Sequence, residues 1–189
     1  MDLIEVFKMP SSAGIAGRTS SITNAFVNSI IPAIFPSEKE IQESLDILGL
    51  GAGDLRCAYC GNIATEWDHL RPIVYNKMPT GYISDIYNLV PACGKYNQSK
   101  GNKHWRAWIM SGAKLSPKTR SVLYLEGKIK KLERYEKWKK VRPINYEEIV
   151  GKELWREYWG NCKKLHDDMM AAQTYSKKLK SVINKYLKK

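Results

Sequence analysis

The feature that most constrains the fold of this chain is its central segment, residues 57–101, where cysteine, acidic, histidine and asparagine residues follow one another at short intervals. Glycine, proline and asparagine interrupt the apolar residues between positions 55 and 91, so short strands and loops are predicted there. The polar and thiol residues occur in the order Cys57, Cys60, Asp68, His69, Asn88, Cys93 and Asn97. Each of these is a weak signal alone, whereas the ordered set indicates a site of metal and proton chemistry.

Two short helices are predicted before the central segment. Apolar residues at every fourth position predict the first helix over residues 20–31. Ser37 followed by Glu40 has the pattern of a capping box, which predicts that a second helix begins here and ends before Gly49. The small residues at positions 11–17 are typical of a flexible arm or loop.

The chain after the central segment is predicted to be helical and basic. Ser116 as N-cap, with Pro117 at the first helical position, predicts a long amphipathic helix that extends to about Trp138. A second helix with the same pattern is predicted over residues 146–170, and a last basic helix over residues 174–189. The apolar faces of these helices are interpreted as core packing.

The positive charge of the chain is concentrated in its C-terminal part. Residues 1–117 hold 11 Lys and Arg against 10 Asp and Glu, whereas residues 118–189 hold 20 against 9. The second part therefore supplies +11 of the formal net charge of +12. This balance predicts a polyanionic partner, but charge alone leaves nucleic acid and acidic lipid as alternatives.

The sequence lacks the signals of a membrane or secreted protein. No segment has the roughly 18 consecutive apolar residues that a membrane-spanning helix needs. The most apolar N-terminal stretch, residues 25–35, is shorter than this, and the acidic Asp2 and Glu5 are unlike the start of a signal peptide. A soluble cytoplasmic protein is therefore predicted. In a reducing compartment the C-x2-C spacing of Cys57 and Cys60 favours metal or redox chemistry over a structural disulfide.

Residues 55–104 resemble the HNH endonucleases, whose ββα-metal core is a two-stranded hairpin followed by a helix. The resemblance depends on the ordered set above and on the Asn-Leu-Val-Pro-Ala-Cys run that begins at Asn88. It implies an α+β fold, with a small ββα-metal (HNH) hairpin-helix core over residues 55–112 embedded in a mostly helical chain. An N-terminal arm with helices (1–54) and a basic helical region (113–189) are expected to form one compact unit with this core.

The resemblance also assigns roles to four residues. It implies His69 as the general base and Asp68 and Asn97 as ligands of a catalytic Mg²⁺ or Mn²⁺. It implies Asn88 as the residue that fixes the loop bearing the histidine. The residue types suit these roles, because histidine accepts a proton near neutral pH and a hard divalent ion prefers oxygen ligands. Neighbouring residues in a strand point to opposite faces, so Asp68 and His69 can serve one phosphate only if the strand ends or bends there.

The cysteines depart from the family pattern. Many HNH proteins hold a structural Zn²⁺ with two C-x2-C pairs, but Tyr96 stands where the fourth cysteine would be. Three outcomes are open: the thiols take a fourth ligand from Cys162 or His104, they bind zinc weakly with water, or the site is vacant and packed around Tyr96. The thiols concerned are Cys57, Cys60 and Cys93.

The preferred interpretation is a type II restriction endonuclease that cuts a specific double-stranded DNA sequence and leaves 5′-phosphate and 3′-hydroxyl ends. A homodimer is expected, because two-fold symmetry in the protein would mirror that of a palindromic target. The alternatives are a homing or phage-type HNH nicking endonuclease and a non-catalytic nucleic-acid-binding protein on a degenerate core. Arg18 in the N-terminal arm is one candidate for wrapping DNA. Further candidate DNA contacts are Lys100, Lys103, Arg106, Lys130, Lys131, Lys139 and Lys140.

Overall fold

The fold is described from a computed structural model, which describes residues 13–187. These residues combine helices with two small antiparallel sheets, in agreement with the predicted mixture of helix and strand. In chain order the elements are α1 (Thr19–Ile30), α2 (Glu38–Leu48), β1 (Glu66–His69), β2 (Val74–Tyr75), β3 (Met78–Pro79), β4 (Leu89–Ala92), α3 (Gly94–Lys100), α4 (Trp105–Ile109), α5 (Leu125–Trp138), α6 (Tyr146–Val150) and α7 (Lys152–Leu187), with short 3-10 helices at Ile15–Arg18 and Ile86–Asn88.

By its contacts the chain divides into two compact units. The central unit is Val27–Ile149, and the terminal unit joins the chain up to Phe26 with the chain from Val150 onward. These boundaries cut across the three segments expected from the sequence, which end at residues 54 and 112. The difference arises because the N-terminal residues pack on the last helix, and such a contact between distant parts of the chain leaves no local pattern.

The terminal unit is formed by residues that lie far apart in the sequence. The backbone N–H of Ala16 donates to Oε1 of Gln173 at 3.2 Å, and the hydroxyl of Tyr158 donates to the carbonyl of Phe26 at 2.8 Å. The rings of Phe26 and Tyr158 meet edge to face, with centroids 5.1 Å apart. The predicted helix over residues 20–31 is confirmed as α1. The predicted arm over residues 11–17 is in part a 3-10 helix, and its first two residues lie outside the described part of the chain.

The C-terminal helices differ from the prediction. The chain forms a short α6, a break at Gly151 with φ +89°, and then the single 36-residue helix α7. The predicted separation near residues 171–173 is wrong, because Ala-Ala-Gln at those positions consists of good helix formers and offers no breaker. None of the helices within residues 13–187 is both long and apolar enough to cross a membrane.

The helix that precedes the central segment forms as its cap predicts. Ser37 Oγ accepts from the backbone N–H of Glu40, and the Glu40 carboxylate accepts from the backbone N–H of Ser37. Gly49 ends α2 in the left-handed conformation, with φ +63°. The two ends of α2 are therefore set by local chemistry, as expected for a capping box and a glycine C-cap.

Strands β1 and β4 form an antiparallel pair, and α3 follows β4 directly. In their register Glu66 pairs with Ala92 and His69 pairs with Leu89. Strands β2 and β3 form a second antiparallel pair, which lies in the connection between β1 and β4. The predicted strands and loops of this segment are confirmed, and β1, β4 and α3 together give a two-stranded sheet followed by a helix.

Helix α5 begins later than the sequence predicts. Ser116 Oγ accepts from the N–H of Thr119 at 3.2 Å and donates to the carbonyl of Ser111 at 2.6 Å, so it closes a turn instead of capping a helix. The chain then passes through Ser121 (φ +49°) and Tyr124 (φ +56°), both in the left-handed region, before the helix begins. The predicted start at Ser116 is wrong, because a serine that finds local partners in a turn competes with helix formation.

The core of the central unit lies between the hairpin and the helices that surround it. Trp105 and Trp108 of α4, Leu132 of α5 and Val90 of β4 are fully buried. Tyr59 meets Trp108 edge to face, with ring centroids 5.1 Å apart. This core packs against the inner side of the sheet formed by β1 and β4 and holds α3 against β1.

Candidate active site

Helix α3 crosses one face of β1 and pairs with it through two polar contacts. Asn97 Nδ2 donates to Glu66 Oε2 at 2.7 Å, and Lys100 Nζ donates to Asp68 Oδ1 at 3.1 Å. The two acidic residues are two positions apart on the strand and therefore share a face, and their partners are three positions apart on the helix and also share a face. The two periodicities thus bring four side chains of the predicted segment together.

Asp68 is buried, and both of its carboxylate oxygens have partners. Its exposed fraction is 4%, Oδ1 accepts from Lys100, and Oδ2 accepts from the hydroxyl of Tyr59 at 2.5 Å. Burial raises the pKa of Asp68, and the positive charge of Lys100 opposes this rise. Asp68, the predicted metal ligand, is therefore bound by Tyr59 and Lys100, and the positive charge beside it is the ammonium of Lys100.

Lys100 is placed differently from a surface contact to DNA. Only 1% of its surface is exposed, because the side chain runs inward from the end of α3. Its Nζ also donates to the carbonyl oxygens of His69 at 2.7 Å and Gly101 at 3.4 Å. The prediction that Lys100 contacts a DNA phosphate is therefore corrected. Its ammonium donates to Asp68 and to two carbonyls and is out of reach of a phosphate at the surface.

His69 is the last residue of β1 and is half-buried. Its Nε2 lies 2.7 Å from Oγ of Ser84. Burial, together with the positive charge of Lys100, lowers the pKa of His69 to about 4. The imidazole is therefore neutral at pH 7. Strand β1 ends at His69. Such an ending is needed if Asp68 and His69, which are neighbours in the strand, are to act on one phosphate.

Asn88 fixes the chain that follows His69. It is fully buried, its Oδ1 accepts from the N–H of Arg71 at 2.8 Å, and its Nδ2 donates to the carbonyls of Arg71 and Ile83, each at 3.2 Å. Its own carbonyl accepts from the N–H of Leu70 at 2.7 Å. One amide side chain thus ties the residues after β1 to the residues before β4.

Asn97 is half-buried on α3, and its amide nitrogen is bound to the exposed carboxylate of Glu66. The two residues expected to share a metal, Asp68 and Asn97, therefore have separate partners, a lysine and a glutamate. Glu66 itself was not predicted as a site residue, although its position two residues before Asp68 on the same strand places it on the same face. Tyr59 and Ser84 also went unpredicted, and no pattern in the sequence identifies either as a partner of this site.

Three thiols form a separate cluster that could hold a metal ion. The Sγ atoms of Cys57, Cys60 and Cys93 lie within 4.8 Å of one another, and those of Cys60 and Cys93 are 3.8 Å apart. Two sulfur ligands of a tetrahedral zinc, each about 2.3 Å from the ion, would be about 3.8 Å apart. A hydrogen bond from Cys60 lowers the pKa of Cys57 to about 6, and the same contact raises the pKa of Cys60. The donor set and its spacing therefore fit a thiolate-bound metal.

Within the described residues the cluster has no fourth ligand from cysteine, histidine or a carboxylate. His104, one of the two candidates, lies 3.3 Å from a carboxylate oxygen of Glu136 and caps α4 by accepting from the N–H of Arg106. Cys162, the other candidate, is a buried residue of α7 in the terminal unit. Tyr96 is buried and packs edge to face on Trp108, at 6.0 Å between centroids. Of the two candidates, His104 thus has other partners within the central unit and does not complete the cluster.

The remaining candidate DNA contacts lie at or near the surface. Lys103 and Arg106 are exposed, and Arg106 forms an ion pair with Glu133. Lys139 lies over the ring of Tyr87, with Nζ 4.2 Å from the centroid. Lys130 and Lys140 are also exposed, whereas Lys131 is half-buried.

Comparison with known proteins adds no functional information. No family model, no curated protein and no solved structure matches this chain. The functional assignment therefore depends on the residues and contacts of the site itself.

Proposed function

We propose that this protein is a metal-dependent endonuclease of the HNH type, which hydrolyses phosphodiester bonds of double-stranded DNA and leaves 5′-phosphate and 3′-hydroxyl ends. The observation that carries the proposal is an oriented histidine at the end of β1, with Nε2 2.7 Å from Ser84 Oγ, in a two-stranded sheet that is followed by a helix bearing Asn97. The loop after His69 is fixed by Asn88, which matches the order of residues expected from the resemblance.

His69 acts as the general base in this proposal. Its pKa of about 4 keeps the imidazole unprotonated at neutral pH, so that it can accept a proton from water. The contact of 2.7 Å between Nε2 and Ser84 Oγ holds the ring in one orientation. With Nε2 donating to Ser84, the lone pair of Nδ1 is available to take the proton.

Asp68 and Asn97 would hold a divalent ion through a carboxylate and an amide oxygen. A bound Mg²⁺ or Mn²⁺ would supply positive charge to a phosphate oxygen during hydrolysis. The donor set fits such an ion, because an Asp68 oxygen and the carbonyl of His69 already face one cationic group, the ammonium of Lys100. Asp68 lies on β1 and Asn97 on α3, the two elements that pack together here. Asp68 must exchange Lys100 for the ion to serve as a ligand, whereas Asn97 is bound to Glu66 through its amide nitrogen and would use its amide oxygen.

The DNA partner is supported by charge. The +11 excess of residues 118–189 includes exposed lysines on and just after α5, and phosphate contacts by such side chains are the main source of affinity for DNA. A type II restriction endonuclease remains the preferred form of the proposal. It would act as a homodimer, because one metal centre cuts one strand and two are needed for a double-strand break.

We also propose that the thiol cluster of Cys57, Cys60 and Cys93 binds a structural Zn²⁺, whose fourth position is completed by water. The fit of the spacing supports this role, because the distance of 3.8 Å between two of the sulfur atoms already suits a shared tetrahedral ion. Such an ion would join the turn at residues 57–60 to the start of α3.

A non-catalytic DNA-binding protein is the second candidate, and one observation favours it. Both expected metal ligands are paired with side chains of the protein, Asp68 with Lys100 and Asn97 with Glu66. A scaffold that had lost catalysis could keep these pairs permanently.

Nicking of supercoiled plasmid DNA in the presence of Mg²⁺ tests the proposal against this alternative. The wild type should nick and then linearise the plasmid, whereas His69→Ala should lose activity. His104→Ala is a matched control, since His104 is an exposed histidine outside the site, and it should retain activity. Equal activity in wild type and His69→Ala, or no activity in either, would contradict the catalytic assignment. Mapping the ends of cut DNA then reports the sequence recognised and the chemistry of the ends.

A further inference from the structure

The ammonium of Lys100 occupies a position that is built from oxygen atoms. It donates to a carboxylate oxygen of Asp68 at 3.1 Å, to the carbonyl of His69 at 2.7 Å and to the carbonyl of Gly101 at 3.4 Å. The side chain is 1% exposed, so that water does not complete this environment from a free surface. Lysine is rarely buried to this extent, and burial of its charge is unfavourable unless anionic or carbonyl groups compensate for it.

The same oxygens would suit a hard divalent cation. Mg²⁺ and Mn²⁺ prefer carboxylate, carbonyl and water oxygens, and they bind at positions where several of these converge. A structural ion pair between Asp68 and Lys100 would explain the carboxylate contact alone. It does not explain why the shortest contact of the ammonium is to the carbonyl of His69, the residue next to the expected metal ligand.

We propose that Lys100 is an internal cation that occupies the divalent metal position and must be displaced when the metal binds. This inference rests on the proposed function, because it takes Asp68 as a ligand of the catalytic ion. It assigns Lys100 a positioning role. When no metal is bound, its ammonium neutralises the charge of Asp68, and it weakens metal binding because it competes with the ion for the same oxygen atoms.

The position of Lys100 at the end of a helix makes this exchange feasible. It is the last residue of α3, and Gly101 follows it with φ +52° and ψ −133°, a backbone conformation that favours glycine. The next residues, 101–104, are exposed. The side chain can therefore swing outward by a change at the helix terminus, without opening the core around Trp105 and Trp108.

Metal affinity measured on the full chain tests the exchange directly. Binding of Mn²⁺ would be followed by electron paramagnetic resonance of the free ion, in the absence of DNA. Lys100→Met keeps the aliphatic stem and removes the charge, so its Kd for Mn²⁺ should be lower than that of the wild type by roughly tenfold or more. Lys95→Met is the matched control, because Lys95 is an exposed lysine of the same helix, and its Kd should stay within about twofold of the wild type.

Adding Asp68→Asn to Lys100→Met should abolish the gain in affinity, because the carboxylate that binds the ion is lost. An unchanged or higher Kd in Lys100→Met would overturn the proposal. So would a gain in affinity that survives the loss of the Asp68 carboxylate.

A second measurement uses the wild type and does not depend on the folding of a variant. Lysine acetylation followed by mass spectrometry reports which ammonium groups are accessible. Lys100 should react slowly in metal-free protein and at least about fivefold faster at saturating Mn²⁺, since displacement brings its Nζ to the surface. Reactivity that Mn²⁺ leaves unchanged would overturn the proposal.

Neither measurement involves DNA cleavage, so the two proposals can fail separately. A chain that exchanges Lys100 for Mn²⁺ but never cuts DNA would support this inference and remove the nuclease assignment. A chain that cuts DNA but shows no effect of Lys100 on metal affinity would do the reverse.

Discussion

Replacement of Asn88 should loosen the loop that carries the candidate base. The Asn88→Ala substitution removes three side-chain hydrogen bonds, one from the N–H of Arg71 and two to the carbonyls of Arg71 and Ile83. Because the side chain is fully buried, water cannot replace these bonds without opening the loop. Each such bond contributes about 1 kcal/mol, so a loss of about 2–4 kcal/mol in the free energy of unfolding is expected.

Urea denaturation monitored by tryptophan fluorescence measures this loss, and a lower midpoint at an unchanged slope indicates that stability alone has changed. Asn102→Ala is a suitable control, because Asn102 is exposed in the turn after α3 and should change the free energy by less than about 0.5 kcal/mol. A loss below about 1 kcal/mol for Asn88→Ala would refute the view that this side chain holds the loop.

Three further predictions concern other groups. The pKa of His69 is lowered from 6.5 to about 4 in the folded state, so the unfolded chain binds a proton at higher pH than the folded chain does. The free energy of unfolding should therefore fall as the pH drops from about 6.5 to 4. This fall should be smaller in His69→Gln, and equal pH profiles of the two proteins would contradict the prediction. Zinc analysis of the purified protein should give one ion per chain, with loss of the ion and a lower Tm in Cys93→Ser, whereas Cys162→Ser should retain the metal. Replacing Lys130, Lys131, Lys139 and Lys140 by Gln should weaken DNA binding and flatten its dependence on salt, and an unchanged affinity by fluorescence anisotropy would return these lysines to the solvated surface.

The parts of the fold that could be predicted are those set by nearby residues. The capping box at Ser37 and the helix end at Gly49 depend on chemistry within a few positions, and both are found where the pattern indicates. Ser116 shows the limit of such reasoning, because the same residue type closes a turn when Ser111 and Thr119 offer partners.

The residues of the candidate site could be proposed from the sequence, but their contacts could not be predicted. The resemblance implies that Asp68 and Asn97 belong to one strand–helix unit, and they do lie on elements that pack together. The partner of Asp68 could not be foreseen, because Lys100 lies 32 positions away and a lysine near a helix end is usually exposed. The inward course of this side chain depends on the packing of α3 against β1, which is a property of the folded molecule.

The division into two units has a consequence for the order in which the chain can fold during synthesis. The central unit is one continuous stretch, Val27–Ile149, so all of its contacts are available as soon as that stretch has been made. The terminal unit depends on contacts such as Ala16 to Gln173, which are 157 positions apart. Residues 13–26 must therefore wait for almost the whole chain, and we expect β1, β4 and α3 to form on the ribosome before residues 13–26 pack against α7.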